Sequence, residues 1–148
     1  MKKIIISIIV LLGIMMPRIT MAQDTDPEPY AVLSEGNTVL TFYYDKQKET
    51  RSGMDLTYTP WRADETKGTL TKVVFDASFA DCTTLTTTDS WFNECSSLVT
   101  IENISNLKTE NVTNMSAMFR NCTSLTSIDF ESFNTSRATT LDNMFFGC

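Results

Sequence analysis

Residues 111–130 read NVTNMSAMFRNCTSLTSIDF, and a shortened form of the same phrase, DNMFFGC, returns at residues 142–148. Met115, Met118, Cys122, Leu125 and Ile128 fall three or four residues apart, with Thr, Ser and Asn between them. Working outward, three segments share a strand-like pattern: LTKVVF (70–75), LVTIENI (98–104) and LTSIDF (125–130). All have apolar residues at positions one and four, and the outer two add Phe75 and Phe130 at position six. The middle copy places Ile104 at position seven, as though one residue were inserted.

The remaining positions follow in register. Phe79, Leu107 and Phe133 correspond, as do Leu85, Val112 and Ala138; Thr88, Met115 and Leu141; and Trp91, Met118 and Met144. Phe92, Phe119 and Phe145 align and are followed by Cys95, Cys122 and Cys148. A period in the high twenties is the signature of stacked repeats, each unable to bury its apolar side alone. The three- and four-residue spacing around Val112, Met115, Met118 and Phe119 predicts a short helix in each repeat. The fold expected is an α+β repeat solenoid: leucine-rich-repeat-like coils, each a short strand plus a short helix, with an N-terminal β-hairpin cap. The repeats are 70–97, 98–124 and 125–148, the third ending early, so the chain is expected to be a truncated product or a fragment.

Upstream, residues 30–69 form the cap segment. Leu40, Phe42 and Tyr44 alternate with Val39, Thr41 and Tyr43, and SEGN (34–37) separates this run from YAVL, which reads as a β-hairpin. The polar stretch after it is loop, with one short strand expected at Leu56–Thr59. Residues 23–29 are an acidic linker. Residues 1–22 read as a secretory signal peptide: Lys2 and Lys3, an apolar run from Ile4 to Met16, and Thr20 and Ala22 before a cleavage point after Ala22. That run is shorter than the roughly 18 residues a membrane span needs. The expectation is a secreted or cell-surface protein that is not inserted in the membrane once the signal is removed.

The formal net charge is −6. Loss of Lys2, Lys3 and Arg18 with the signal leaves 9 basic against 18 acidic residues, a net charge of −9. A chain this acidic with no Lys/Arg cluster is unsuited to nucleic acid. There is no His, which removes Ser-His and Cys-His nucleophile pairs and His-containing zinc sites. No metal and no cofactor is expected.

NVTNMSAMFRNCTSL, WFNECSSL and LDNMFFGC, with their recurring aromatic-x-x-Cys unit, resemble the BspA-like leucine-rich-repeat surface proteins. The resemblance spans nearly all of the chain after the signal. It implies an exported repeat protein that binds extracellular or host proteins in adhesion, and it implies no catalytic residues. A non-binding spacer within a larger surface protein is the alternative.

Four cysteines in an exported chain allow three disulfide pairings. Stacked equivalents point the same way, however, so Cys95, Cys122 and Cys148 are expected as buried thiols, while Cys82 stays open. No C-x-x-C pair for zinc is present. The Asn-x-Ser/Thr sequons at Asn103, Asn111, Asn114, Asn121 and Asn134 fall out of a repeat rich in these residues.

Alternation along the strands places Lys72, Thr100 and Ser127 in one exposed column and Val74, Glu102 and Asp129 in the next. These six residues are the candidate ligand-binding face, with Glu102 and Asp129 forming a small acidic patch. A glycosidase-type carboxylate pair would need an enclosed cleft and one raised pKa, so a hydrolase is not expected. Trp61 either covers the open end of the first coil or serves as an exposed aromatic anchor.

Overall fold

The computed structural model describes residues 26–148; the expected signal peptide (1–22) and the start of the expected acidic linker lie outside the described residues. The chain forms an open, mixed five-stranded sheet from β1 (Glu28–Ser34), β2 (Val39–Asp45), β3 (Met54–Asp55), β4 (Lys72–Phe75) and β5 (Thr100–Glu102), in the order β3-β1-β2-β4-β5. Among the described residues helix is almost absent: one four-residue turn of α-helix, α1 (Asp64–Lys67), and three short 3-10 segments. The expected α+β repeat solenoid, with a helix in every coil, is therefore corrected to a small mixed sheet continued by stacked turns.

The hairpin forms as its alternation dictates. β1 and β2 pair antiparallel from Glu28↔Asp45 to Ser34↔Val39. Their connection carries positive φ at Glu35, Gly36 and Asn37, a conformation that Gly and Asn tolerate best. Leu40 and Phe42 point into the core. On the other side Tyr30 stacks on Tyr43 at 5.4 Å, and Arg51 lies 4.0 Å above the Tyr43 ring. Asp45 accepts the Tyr30 hydroxyl at 2.6 Å and pairs with Arg51 at 2.6 Å. The short strand expected at Leu56–Thr59 appears two residues earlier, as β3. Gly53 passes against the Tyr30 ring, where a Cβ would collide, and Pro60 has no N–H to extend a ladder.

β2 then continues into the repeats, pairing parallel with β4 (Val39↔Lys72 to Phe42↔Phe75), which pairs parallel with β5 (Lys72↔Thr100 to Val74↔Glu102). The strand expected at 125–130 does not form. The reason begins with the extra residue of the middle copy. It is Asn103, in the left-handed region at φ 55, and it ends β5 after three residues and sends Ile104 into a 3-10 turn. Only a short edge is left for the third copy to pair with.

The arcs expected as helices are pairs of consecutive four-residue turns. Trp91 N–H donates to Thr88 O and Cys95 N–H to Phe92 O, and the same pattern recurs at Met118/Met115, Cys122/Phe119, Met144/Leu141 and Cys148/Phe145. The third residue of each turn has positive φ: Ser90 and Glu94, then Ala117 and Asn121, then Asn143 and Gly147, as a type II turn requires. The intervening N–H groups leave their own turn altogether. Those of Thr88, Ser90, Phe92 and Glu94 reach Asn114, Ser116, Met118 and Arg120 at 2.7–2.9 Å, and those of Met115, Ala117, Phe119 and Asn121 reach Thr140, Asp142, Met144 and Phe146 at 2.7–3.1 Å. Two linked four-residue turns put residues i, i+3, i+4 and i+7 on one side, which is also the helical spacing.

The difference between a turn and a helix has a measurable sign. Ala117 has φ 53, a conformation costing an L-residue about 1–2 kcal/mol. Ala117→Gly is expected to raise the unfolding free energy by about 1 kcal/mol in urea titrations, whereas in a helix the same change would lower it by about 1 kcal/mol.

Candidate functional site

The strand ladder brings four of the six candidate face residues together. Lys72 stands beside Thr100 and Val74 beside Glu102. Thr100 and Glu102 are exposed, and Lys72 and Val74 half-buried. Ser127 and Asp129 are also exposed, but they lie on the unpaired 125–130 segment, and no ladder joins them to β5. They line instead a groove of about 460 Å³ together with Ile101, Asn103, Ile104, Ser105 and Ile128. The groove exists because β5 is short. Its signal in the sequence is the one-residue insertion in the middle copy, which brings Asn103 and Ser105 to the groove.

The acidic patch is modified by a neighbour. Lys72 Nζ lies 2.7 Å from Glu102 Oε1, an exposed pair worth about 0–1 kcal/mol to stability that nevertheless neutralises one carboxylate. Asp129 Oδ1 accepts the Glu131 N–H at 2.9 Å. The two carboxylates sit in an open setting with different partners, so the geometry supplies neither the enclosure nor the coupled pair that acid/base hydrolysis uses. Among the described residues no group of three or more His, Cys, Asp or Glu side chains could hold a metal ion, and no helix is long and apolar enough to cross a membrane.

Trp61 lies apart from this face and is fully buried. Its Nε1–H donates to Trp91 O at 2.8 Å, and its ring meets Phe42 edge-on at 5.3 Å. That placement is a cover over the first repeat, out of reach of a ligand in solvent.

The thiols are free. Cys82, Cys95 and Cys122 are buried; Cys148, expected to be buried with its column, is exposed because nothing described stacks beyond it. Cys122 Sγ–H donates to Phe92 O at 3.1 Å and Cys148 Sγ–H to Phe119 O at 3.0 Å. Burial raises the Cys82 thiol, pushes Cys95 up to about 11 and drives Cys122 higher still. On the hairpin, burial and then the hydrogen bond to Asp45 push Tyr30 up to about 12. These groups make poor nucleophiles near neutral pH, since the thiolate is the reactive form.

The linkage sign follows. With folded values above the unfolded ones, the folded state holds protons that the unfolded chain releases, so stability is full below about pH 9 and is lost as pH rises towards 11 and 12. Thermal melts across pH 8 to 11 are expected to show a falling midpoint. Iodoacetamide on the native protein at pH 8 is expected to label Cys148 well before Cys82, Cys95 or Cys122, with peptide mass spectrometry as the readout.

A family model described as Mycoplasma protein of unknown function, DUF285, matches residues 67–148, from the end of α1 through all three repeats and more than half the chain. No curated protein and no solved structure matches the chain.

Proposed function

We propose, from the premise that the chain belongs to the DUF285 family of Mycoplasma proteins of unknown function, that it is a surface-displayed repeat protein that binds other proteins. The family is associated with BspA-like surface repeat proteins, and the aromatic-x-x-Cys repeat carries the finer likeness to that group. On this reading the signal segment exports the chain, and the partner is an extracellular or host protein.

The observation that carries the reading is the groove beside β5. The outer edge of Thr100–Glu102 is not paired with the next repeat, and an unpaired strand edge offers backbone donors and acceptors to an incoming extended segment. Ile101, Ile104 and Ile128 supply an apolar floor, and Ser127 and Asp129 a polar rim. Asp129, whose carboxylate has no cation partner among the described residues, favours a partner segment bearing Lys or Arg. No enclosed pocket is needed for this kind of recognition, which suits an open sheet.

The test is binding of the purified protein to a panel of extracellular matrix proteins on a biosensor, with Ser127→Arg and Asp129→Lys variants alongside and circular dichroism on each. Saturable binding by the wild type, weakened roughly tenfold by either rim change, as loss of a charged interface contact of about 1.4 kcal/mol would give, is the expected result. Wild-type protein that is folded yet binds no member of the panel, or binding indifferent to both changes, overturns this assignment of the groove.

A further inference from the structure

The repeats contain their own pattern for what the groove wall pairs with. Thr100-Ile101-Glu102 on β5 and Ser127-Ile128-Asp129 one repeat on are the same chemical triplet: hydroxyl, isoleucine, carboxylate. Both run exposed, half-buried, exposed. On its β4 side, β5 is met residue for residue by Lys72-Val73-Val74 in parallel register. Val73, beside Ile101, is buried. Lys72 stands beside Thr100, and its Nζ reaches diagonally to Glu102 Oε1 at 2.7 Å. In this fold, then, a hydroxyl-Ile-carboxylate strand accepts a Lys-Val-Val strand.

The second triplet has no such neighbour. The chain on that side of it is β5, and continued register would set Glu102 directly beside Asp129, where like charges weaken a pairing. No backbone hydrogen bond joins the two segments. They run together at their starts, where Thr123 Oγ1 donates to Ser96 O at 3.3 Å, and farther on the groove of about 460 Å³ lies between them. The open side of residues 127–129 faces β5, so both walls of the groove belong to the described residues. Of the nearby cations, Lys72 is held by Glu102, and Lys108, at the Ser105 end, donates to Ser105 O at 3.0 Å. Asp129 is left unmatched, with exposed Glu131 adding a further carboxylate beside it.

We infer, building on the groove reading above, that the groove selects a partner segment of Lys-Val-Val type, a cation followed by two β-branched apolar residues, entering parallel to residues 127–129 as β4 lies parallel to β5. The middle residue points inward beside Ile128, and the lysine, beside Ser127, reaches diagonally to Asp129. β-Branched residues suit such a half-buried, pleated position. The opposite strand direction would move the cation away from the Ser127 end and towards the Lys108 ammonium, which repels it.

The experiment titrates isotope-labelled protein with the capped peptide Gly-Ser-Thr-Lys-Val-Val-Thr-Ser-Gly and follows the amide resonances by NMR. The same peptide in reversed order, and one with Glu in place of Lys, run beside it. Saturable shifts confined to residues 100–105 and 127–129 are expected for the first peptide, with the other two bound roughly threefold more weakly or worse, the range an exposed ion pair allows. Asp129→Asn keeps the Oδ1 that accepts the Glu131 N–H, so the fold is retained, and it should abolish the preference for Lys over Glu in the peptide. Equal binding of the forward and reversed peptides, or a preference for Lys that survives Asp129→Asn, overturns the pairing rule and leaves the groove standing as a site. No shift in the groove with any of the three peptides overturns both.

Discussion

Everything in this molecule hangs from the ring of Phe42. It sits on β2, the strand shared between hairpin and repeats, and stacks on Phe75 at 4.9 Å and Trp91 at 5.0 Å while meeting Trp61, Phe79 and Phe92 edge-on or tilted at 5.3–6.0 Å. Those partners come from the cap, from β4, from the 3-10 turn after it and from the first turn arc. A first repeat has no repeat before it, so its apolar face needs another lid. The hairpin supplies the backbone through the β2–β4 pairing, and Phe42 with Trp61 supplies the rings. From there the aromatic column runs on from Phe92 to Phe119 at 5.4 Å and to Phe145 at 5.7 Å. Burying rings of this size contributes about 1.5–3 kcal/mol apiece, which explains how a chain with so little regular structure holds its shape.

The backbone imposes the second constraint. In a helix every N–H is satisfied within its own segment, and in a sheet every one is satisfied by a neighbour. The turn arcs divide the two. Trp91 and Cys95 bond within the rung, while Thr88, Ser90, Phe92 and Glu94 bond to the next. A single arc would leave half its donors to water and its phenylalanine exposed, so the repeats are individually unstable and jointly ordered. The positive φ values at Ser90, Glu94 and Ala117 are a local strain that the ladder offsets, since only that conformation aims alternate N–H groups at the following rung.

This division explains which parts were legible in the sequence. The hairpin was, because strict alternation at Leu40 and Phe42 has one geometric meaning. The repeat register was, because Phe92, Phe119 and Phe145 and the cysteines after them recur at one period. The state of the arcs was not, because positions i, i+3, i+4 and i+7 converge both in a helix and in paired turns, and Ser, Glu and Ala at the left-handed positions carry no glycine signal. The third strand misled for a different reason. Leu125, Ile128 and Phe130 keep the full strand pattern, and the obstacle lies in their neighbour, where Asn103 ends β5. Of the candidate face, the sequence placed Lys72, Thr100, Val74 and Glu102 side by side through the parallel register. It could not foresee the Lys72–Glu102 ion pair, which depends on rotamers, nor the groove, which depends on a strand failing to pair.

A stacked architecture also changes what a binding surface needs. In a globular enzyme, recognition residues are gathered by folding distant loops round a cavity. Here rung spacing sets them in rows: along the paired strands and the turn arcs a residue has an equivalent one repeat away, and the difference between equivalents writes the surface pattern. Asn93 aligns with Arg120 and then Phe146, and Thr41 with Val74 and then Glu102, so chemistry changes along each row while backbone geometry stays the same. The strand face thus presents carboxylates and hydroxyls beside an apolar groove, while the turn arcs present a separate row of side chains. The rows share one core through Phe92 and Phe119, so a change that keeps to an exposed position of one row leaves the stacking beneath it in place, whereas a change at a ring position reaches every row.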